Sequence, residues 1–98
     1  MGNPVRVVVK VIARADAAEA MKSIVLTLAD RSRRENGCIS YEALQDQAAP
    51  ERFVLIEEWD SAAALDAHNR TPHFHEAVAA AGPLLAAPLE VGRYTAIG

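Results

Sequence analysis

Val5 to Ala13 read VRVVVKVIA, and this run restricts the fold more than any other stretch. It is dense in β-branched side chains and too short for a confident helix, so it reads as a strand. Val5, Val7, Val9 and Val11 fall on one face, and Arg6, Val8, Lys10 and Ile12 on the other. One face is wholly apolar and the other is mixed, so both need cover. The chain has 98 residues, 20 of them alanine, so bulky apolar side chains are only moderately abundant. A single domain over residues 1–98 is what that length allows, and a domain this small leaves much of its surface wet.

The remaining elements follow from caps and breakers. Asp16-Ala17-Ala18-Glu19 has the spacing of a capping box and predicts a helix from Asp16 to about Glu35, stopped by Asn36-Gly37. Cys38 to Asp46 alternates as a second strand, Gln45 to Glu51 forms a loop, and Arg52 to Trp59 (RFVLIEEW) is a third strand. Asp60-Ser61 caps a short helix to about Asn69. Thr71-Pro72 starts another to Ala81, which Gly82-Pro83 ends, and Leu89 to Ile97 closes as a strand. The order β-α-β-β-α-β predicts an α+β, ferredoxin-like fold: a four-stranded antiparallel sheet with its helices on one face. Phe53, Leu55 and Trp59 oppose Val54 and Ile56, so the third strand is also apolar on both faces. A symmetric homodimer, sheet against sheet, is the expected cover.

Net charge is −3, with the two signs mixed along the chain. Nucleic-acid affinity comes largely from a basic face, so no nucleic-acid partner is expected. Cys38 is the only cysteine, which excludes an internal disulfide and a cysteine-rich metal site; it reads as a small buried hydrophobe. Met1-Gly2-Asn3-Pro4 leads directly into the first strand without the pattern of a signal peptide, and no apolar stretch approaches membrane-spanning length. A cytoplasmic protein without a membrane partner is therefore expected. There is no G-x-G-x-x-G or Walker A stretch to cradle a nucleotide cofactor.

The chemistry-bearing residues cluster. Glu57-Glu58-Trp59-Asp60-Ser61 is followed by His68-Asn69-Arg70-Thr71-Pro72-His73-Phe74-His75, which holds all three histidines. Strand parity puts Glu57 with Phe53, Leu55 and Trp59, in apolar surroundings that raise a carboxyl pKa unless the charge is held. Glu57 reads as a general base or the partner of one; alternatively it pairs with an arginine of a second chain. Trp59 reads as a pocket wall, a core anchor, or both. His68 lies late in its helix, where the dipole favours imidazolium, and reads as a proton acceptor or as a cap on loose carbonyls. His73 lies in a first turn, where a cation is disfavoured, and His75 projects elsewhere. The three histidines lack the i, i+4 spacing of a helix metal pair, and Pro72 interrupts them, so no native metal is expected.

Arg33 to Tyr41 resembles the E-x-G-C-x-x-Y segment of the antibiotic biosynthesis monooxygenase domain family. The similarity continues through Phe53 to Ser61, Leu65, His68 and Thr71-Pro72-His73-Phe74. The resemblance implies a dimeric α/β barrel of ferredoxin-like subunits with a pocket between sheet and helices. It also implies oxygenation by O₂ of a small aromatic substrate, an electron-rich phenol, hydroquinone or anthrone-like compound, to a quinone without a cofactor. Trp59, His68 and His73 match the family's pattern and would line that pocket. In that chemistry His68 is the expected base or anion partner and Glu57 tunes it. Trp59 and Phe74 supply aromatic walls, His73 also contacts substrate, and Tyr41 and Asn69 make polar contacts.

Leu55 stands where one monooxygenase branch has asparagine. The first strand lacks the asparagine of the haem-degrading branch, and His68 replaces its helix tryptophan, which argues against haem degradation. Two other readings stand beside oxygenation. One is isomerisation of a small ketone, with or without a phosphate, for which Arg6, Lys10 and Arg14 would be the basic stripe; the other is a non-catalytic small-molecule-binding dimer.

Overall fold

A computed structural model describes residues 3–98, so Met1-Gly2 of the N-terminal reading lies outside them. The chain runs β1 (Val5–Ile12), α1 (Ala18–Ser32), β2 (Cys38–Gln45), β3 (Arg52–Trp59), α2 (Ala62–His68), α3 (Pro72–Ala81) and β4 (Glu90–Tyr94), with 3₁₀ turns at Ala15–Ala17 and Gly82–Leu84. The sheet is antiparallel in the order β2-β3-β1-β4, as the ferredoxin-like arrangement requires.

Register explains which residues meet the helices. On the inner face Arg93, Val7, Glu57 and Tyr41 form one cross-strand row, and Val91, Val9, Leu55 and Ala43 the next. Val7, Val9, Val11, Phe53, Leu55 and Trp59 are buried there with Met21, Val25 and Leu28 of α1 and Leu65 of α2. These α1 positions recur at three- and four-residue spacing, so one stripe of the helix faces the sheet. On the outer face Val8, Ile12, Val54 and Ile56 are only half-buried, and Leu44 is 43% exposed. No helix of the described residues is long and apolar enough to cross a membrane.

Four local expectations are corrected. Asp16 does not cap α1: it sits inside the 3₁₀ turn, its carboxylate accepts from Arg14 Nε (3.3 Å), and the N-cap is Ala17 without a side-chain bond. The helix ends at Ser32 rather than Glu35, because the Arg34 and Glu35 N–H groups turn back to Arg31 and Ser32 carbonyls. Glu35 is thereby released into the loop before β2. The closing strand covers only Glu90–Tyr94. The other caps form as read: Ser61 Oγ accepts from Ala64 N–H (3.1 Å) and Thr71 Oγ1 from Phe74 N–H (3.2 Å), with Pro72 at the start of α3. Gly37 takes φ +87° in the turn that follows α1. Cys38 is half-buried rather than buried.

Candidate functional site

The helix layer does not cover β4, and a cavity of ≈ 380 Å³ lies between the inner sheet face and the helices. Most of its wall is aliphatic, from β1, α1 and α3; the polar side chains on it are Tyr41, Glu57, His68, Asn69 and Arg93. Its mouth lies where Val78, Leu89 and Val91 are exposed, Val91 by 63%. Such a space suits a flat apolar ligand with a few polar atoms.

His68 is 1% exposed at the end of α2. Its ring lies 4.5 Å from that of Trp59 and edge-on to Phe74 at 5.2 Å. Thr71 bridges the two short helices, its hydroxyl donating to the His68 carbonyl (2.8 Å) while capping α3. The residue that defines the ring's chemistry is Glu35. Its Oε2 lies 2.7 Å from His68 Nδ1 and 2.7 Å from His73 Nε2. With Glu35 ionised, both rings donate to that oxygen, and the His68 proton is held on Nδ1. Among the described residues His68 Nε2 has no hydrogen-bond partner; it is not a sealed, unsatisfied atom, and it belongs to a cavity-lining side chain. It is therefore the lone pair offered to a ligand.

Glu57 is 3% exposed, and its Oε1 accepts the Trp59 indole N–H at 2.9 Å. Burial raises its pKa above the ordinary carboxyl value, while Trp59, His68 and Tyr41 partly hold the charge. Burial, then the Glu57 charge, pushes the Tyr41 phenol well above its usual range, so Tyr41 remains an O–H donor. Burial and then Glu35 also raise the Cys38 thiol, which stays protonated.

Of the residues expected around a ligand, Glu57, His68, Tyr41, Asn69 and Phe74 line the cavity. Two expectations are corrected. Trp59 is fully buried, its ring 4.5 Å from that of His68, and it does not line this cavity. His73 faces a groove between α1 and α3 and reaches the site through Glu35. Glu57 pairs with Trp59, its neighbour on the same strand face. The basic stripe does not line the cavity either: Arg6 and Lys10 are exposed, with Arg6 paired to Glu58 at 3.6 Å, and Arg14 bonds Asp16 and the Pro83 carbonyl. Arg93 is the one cationic side chain on the wall.

Glu35 was missed as a functional residue because a carboxylate near a helix end reads as surface. Its one signal was membership of the E-x-G-C-x-x-Y segment. With His68 and His73 it makes the one group of metal-capable donors found among the described residues, the three ligand atoms lying within 4.8 Å of one another.

Residues 4–80 match the sequence profile of the family described as "Antibiotic biosynthesis monooxygenase". The chain is 37% identical over 92 residues to an uncharacterized protein of Synechocystis sp., covering 94% of this chain and 63% of that protein, so it spans less than two thirds of that relative. It is 35% identical over 91 residues to "Putative monooxygenase Rv0793" of Mycobacterium tuberculosis, covering 93% of this chain and 89% of the relative. The solved structure of Rv0793 superposes with a TM-score of 0.92 over 98% of this chain and 97% of its own. Over 48 residues, 41% of this chain and 46% of the relative, identity reaches 42% with "Probable quinol monooxygenase YgiN" of Escherichia coli.

Proposed function

The chain belongs to the antibiotic biosynthesis monooxygenase family, and from that membership we propose that it oxidises an electron-rich phenol, hydroquinone or anthrone-like aromatic to a quinone with O₂, needing no cofactor. One observation carries the reading: a mostly aliphatic cavity into which a single buried imidazole offers Nε2 while a carboxylate pins its other nitrogen. The M. tuberculosis relative is named a putative monooxygenase and the E. coli relative a probable quinol monooxygenase, which supports the reading.

For an anthrone-type substrate, His68 Nε2 removes the acidic proton, and Glu35 stabilises the imidazolium that forms. The Tyr41 hydroxyl and the Asn69 amide, both from cavity-lining side chains, are the donors this reading assigns to the phenolate oxygen. The anion passes an electron to O₂, and the caged pair combines to form a C–O bond. The peroxide then loses water as His68 returns its proton. One oxygen atom becomes the new carbonyl and the other leaves as water, so CH₂ plus O₂ gives C=O plus H₂O and the substrate supplies every electron. The aliphatic wall keeps bulk water from the radical pair.

The test is O₂ uptake by chelator-treated protein with a panel of hydroquinones and anthrones, using ¹⁸O₂. Uptake above autoxidation, one label per quinone formed from an anthrone, and a loss of about 10²-fold or more in His68→Ala are expected. Full turnover by His68→Ala would remove the histidine from this role. The same reading seats a second copy of the chain on the outer sheet face.

A further inference from the structure

Glu35, His68 and His73 meet from three separate elements: the loop after α1, the last turn of α2 and the first turn of α3. Two imidazole nitrogens and one carboxylate oxygen converge on one point, and the Oε2 contact to each nitrogen is 2.7 Å. His68 is held by ring packing and by the Thr71 clamp, so its Nδ1 direction is fixed. The expectation of no metal weighed His68, His73 and His75. His75 is exposed and plays no part, and the third donor is Glu35.

We propose that these three side chains bind one divalent transition ion of the zinc class, and that the ion and the base function exclude each other. The donor set, two neutral imidazoles and a carboxylate, is that of open three-ligand zinc sites. It carries a single negative charge and leaves a position for water. In a tetrahedral site with bonds of ~2.1 Å, neighbouring donors stand about 3.4 Å apart. Each 2.7 Å contact must therefore open by a fraction of an ångström, a movement available to Glu35 and His73, which are partly exposed, but not to His68. Access does not run through the substrate cavity: His73 lines a groove of ≈ 210 Å³ between α1 and α3, together with Arg31 and Glu76. The ion would take the position of the two N–H contacts that now converge on Oε2, and each neutral ring keeps its single proton by shifting it to the nitrogen the ion does not bind. On His68 that proton passes from Nδ1 to Nε2, so the cavity then meets a donor instead of a base.

The switching consequence rests on the reading of His68 as the base; the binding site itself does not. Chelator-treated protein is titrated with Zn²⁺ by calorimetry and by competition with a chromogenic chelator. One ion per chain is expected, with binding weakened at least about tenfold in Glu35→Gln and in His73→Ala and unchanged in His75→Ala. Circular dichroism checks that each variant folds, and two independent ligand variants keep the test decisive if one does not. Wild-type Kd weaker than about 0.1 mM, or equal binding by wild type, Glu35→Gln and His73→Ala, overturns the proposal. Zinc should also suppress turnover in proportion to occupancy. Retained turnover in the zinc-loaded protein overturns the exclusion and leaves the site standing on its binding data.

Discussion

Two acids act differently on the site. Glu35 touches His68 and His73 but does not line the cavity. Its removal should release the histidine's tautomer without altering ligand fit. Glu35→Gln keeps an oxygen for Nδ1–H but loses the charge that stabilises imidazolium. On a confirmed substrate we expect kcat to fall by about 10–100-fold with KM nearly unchanged. The ¹⁵N shifts of His68 should show a mixture of tautomers, and a single Nδ1–H tautomer in the variant would remove the positioning role. Glu57 bears on stability. Its folded-state pKa is raised by burial, so between the ordinary carboxyl value and that raised value the folded chain binds more protons than the unfolded one. Stability from this group therefore falls as pH rises through that window and is not recovered above it. Glu57→Gln, which can still accept the Trp59 indole proton, should be more stable than wild type at pH 7, on the order of 1 kcal/mol. That advantage should shrink as pH drops to the ordinary carboxyl pKa. Thermal melts at both pH values check it, and an advantage that grows in acid would contradict the assignment.

Element geometry turns on the turn that separates α1 from β2. Gly37 has φ +87°, and its carbonyl accepts from Asp60 N–H at 2.8 Å. A Cβ built there would stand 2.5 Å from Ala64 Cβ and 2.8 Å from Asp60 Oδ1. Gly37→Ala combines left-handed strain with a clash against the start of α2, and should cost about 2–3 kcal/mol, a drop in Tm of roughly 10 °C or more. Gly82, which ends α3 with φ −47° and nothing within 4 Å of a Cβ, should accept alanine with little change. A differential melt of the two variants decides the matter. This turn also explains what could be read from the chain. Strand runs such as VRVVVKVI and RFVLIEEW, the Ser61 and Thr71 caps and the Gly37 stop are local signals, and the fold follows from them. His68, Tyr41, Glu57, Asn69 and Phe74 carried their own chemistry and meet at the cavity. Glu35 was hidden because its partners lie 33 and 38 residues away, and only the early end of α1 and the reversal at Gly37 bring it to them. The burial of Trp59 beside His68 is likewise a packing outcome that parity alone does not reveal, since parity gave its face but not its depth.

At the scale of the whole molecule the unresolved balance is the outer sheet face. Val8 pairs across to Ile56 and Lys10 to Val54, while Leu44 lies beside Val54 on the other side. These apolar residues make a central patch, ringed by the Arg6–Glu58 pair, Lys10, Glu42 and Arg52. An apolar centre within a charged rim is how protein interfaces are built, and a two-fold axis through such a patch lets it cover itself. The helices occupy the opposite face, so among the described residues no second layer reaches it. We expect sedimentation equilibrium at micromolar concentration to give twice the 10.5 kDa chain mass. Ile56→Glu puts a carboxylate in the patch, beside Glu42, and should return the mass to that of one chain. Leu26→Glu, on a helix position already 52% exposed, should leave the assembly unchanged. A wild-type mass of one chain would refute the dimer outright. A dimer that survives Ile56→Glu but not a charge on another exposed apolar residue, such as Val91 at the cavity mouth, would move the interface to β4. The second copy would then close the cavity and would no longer cover the bare face of the sheet.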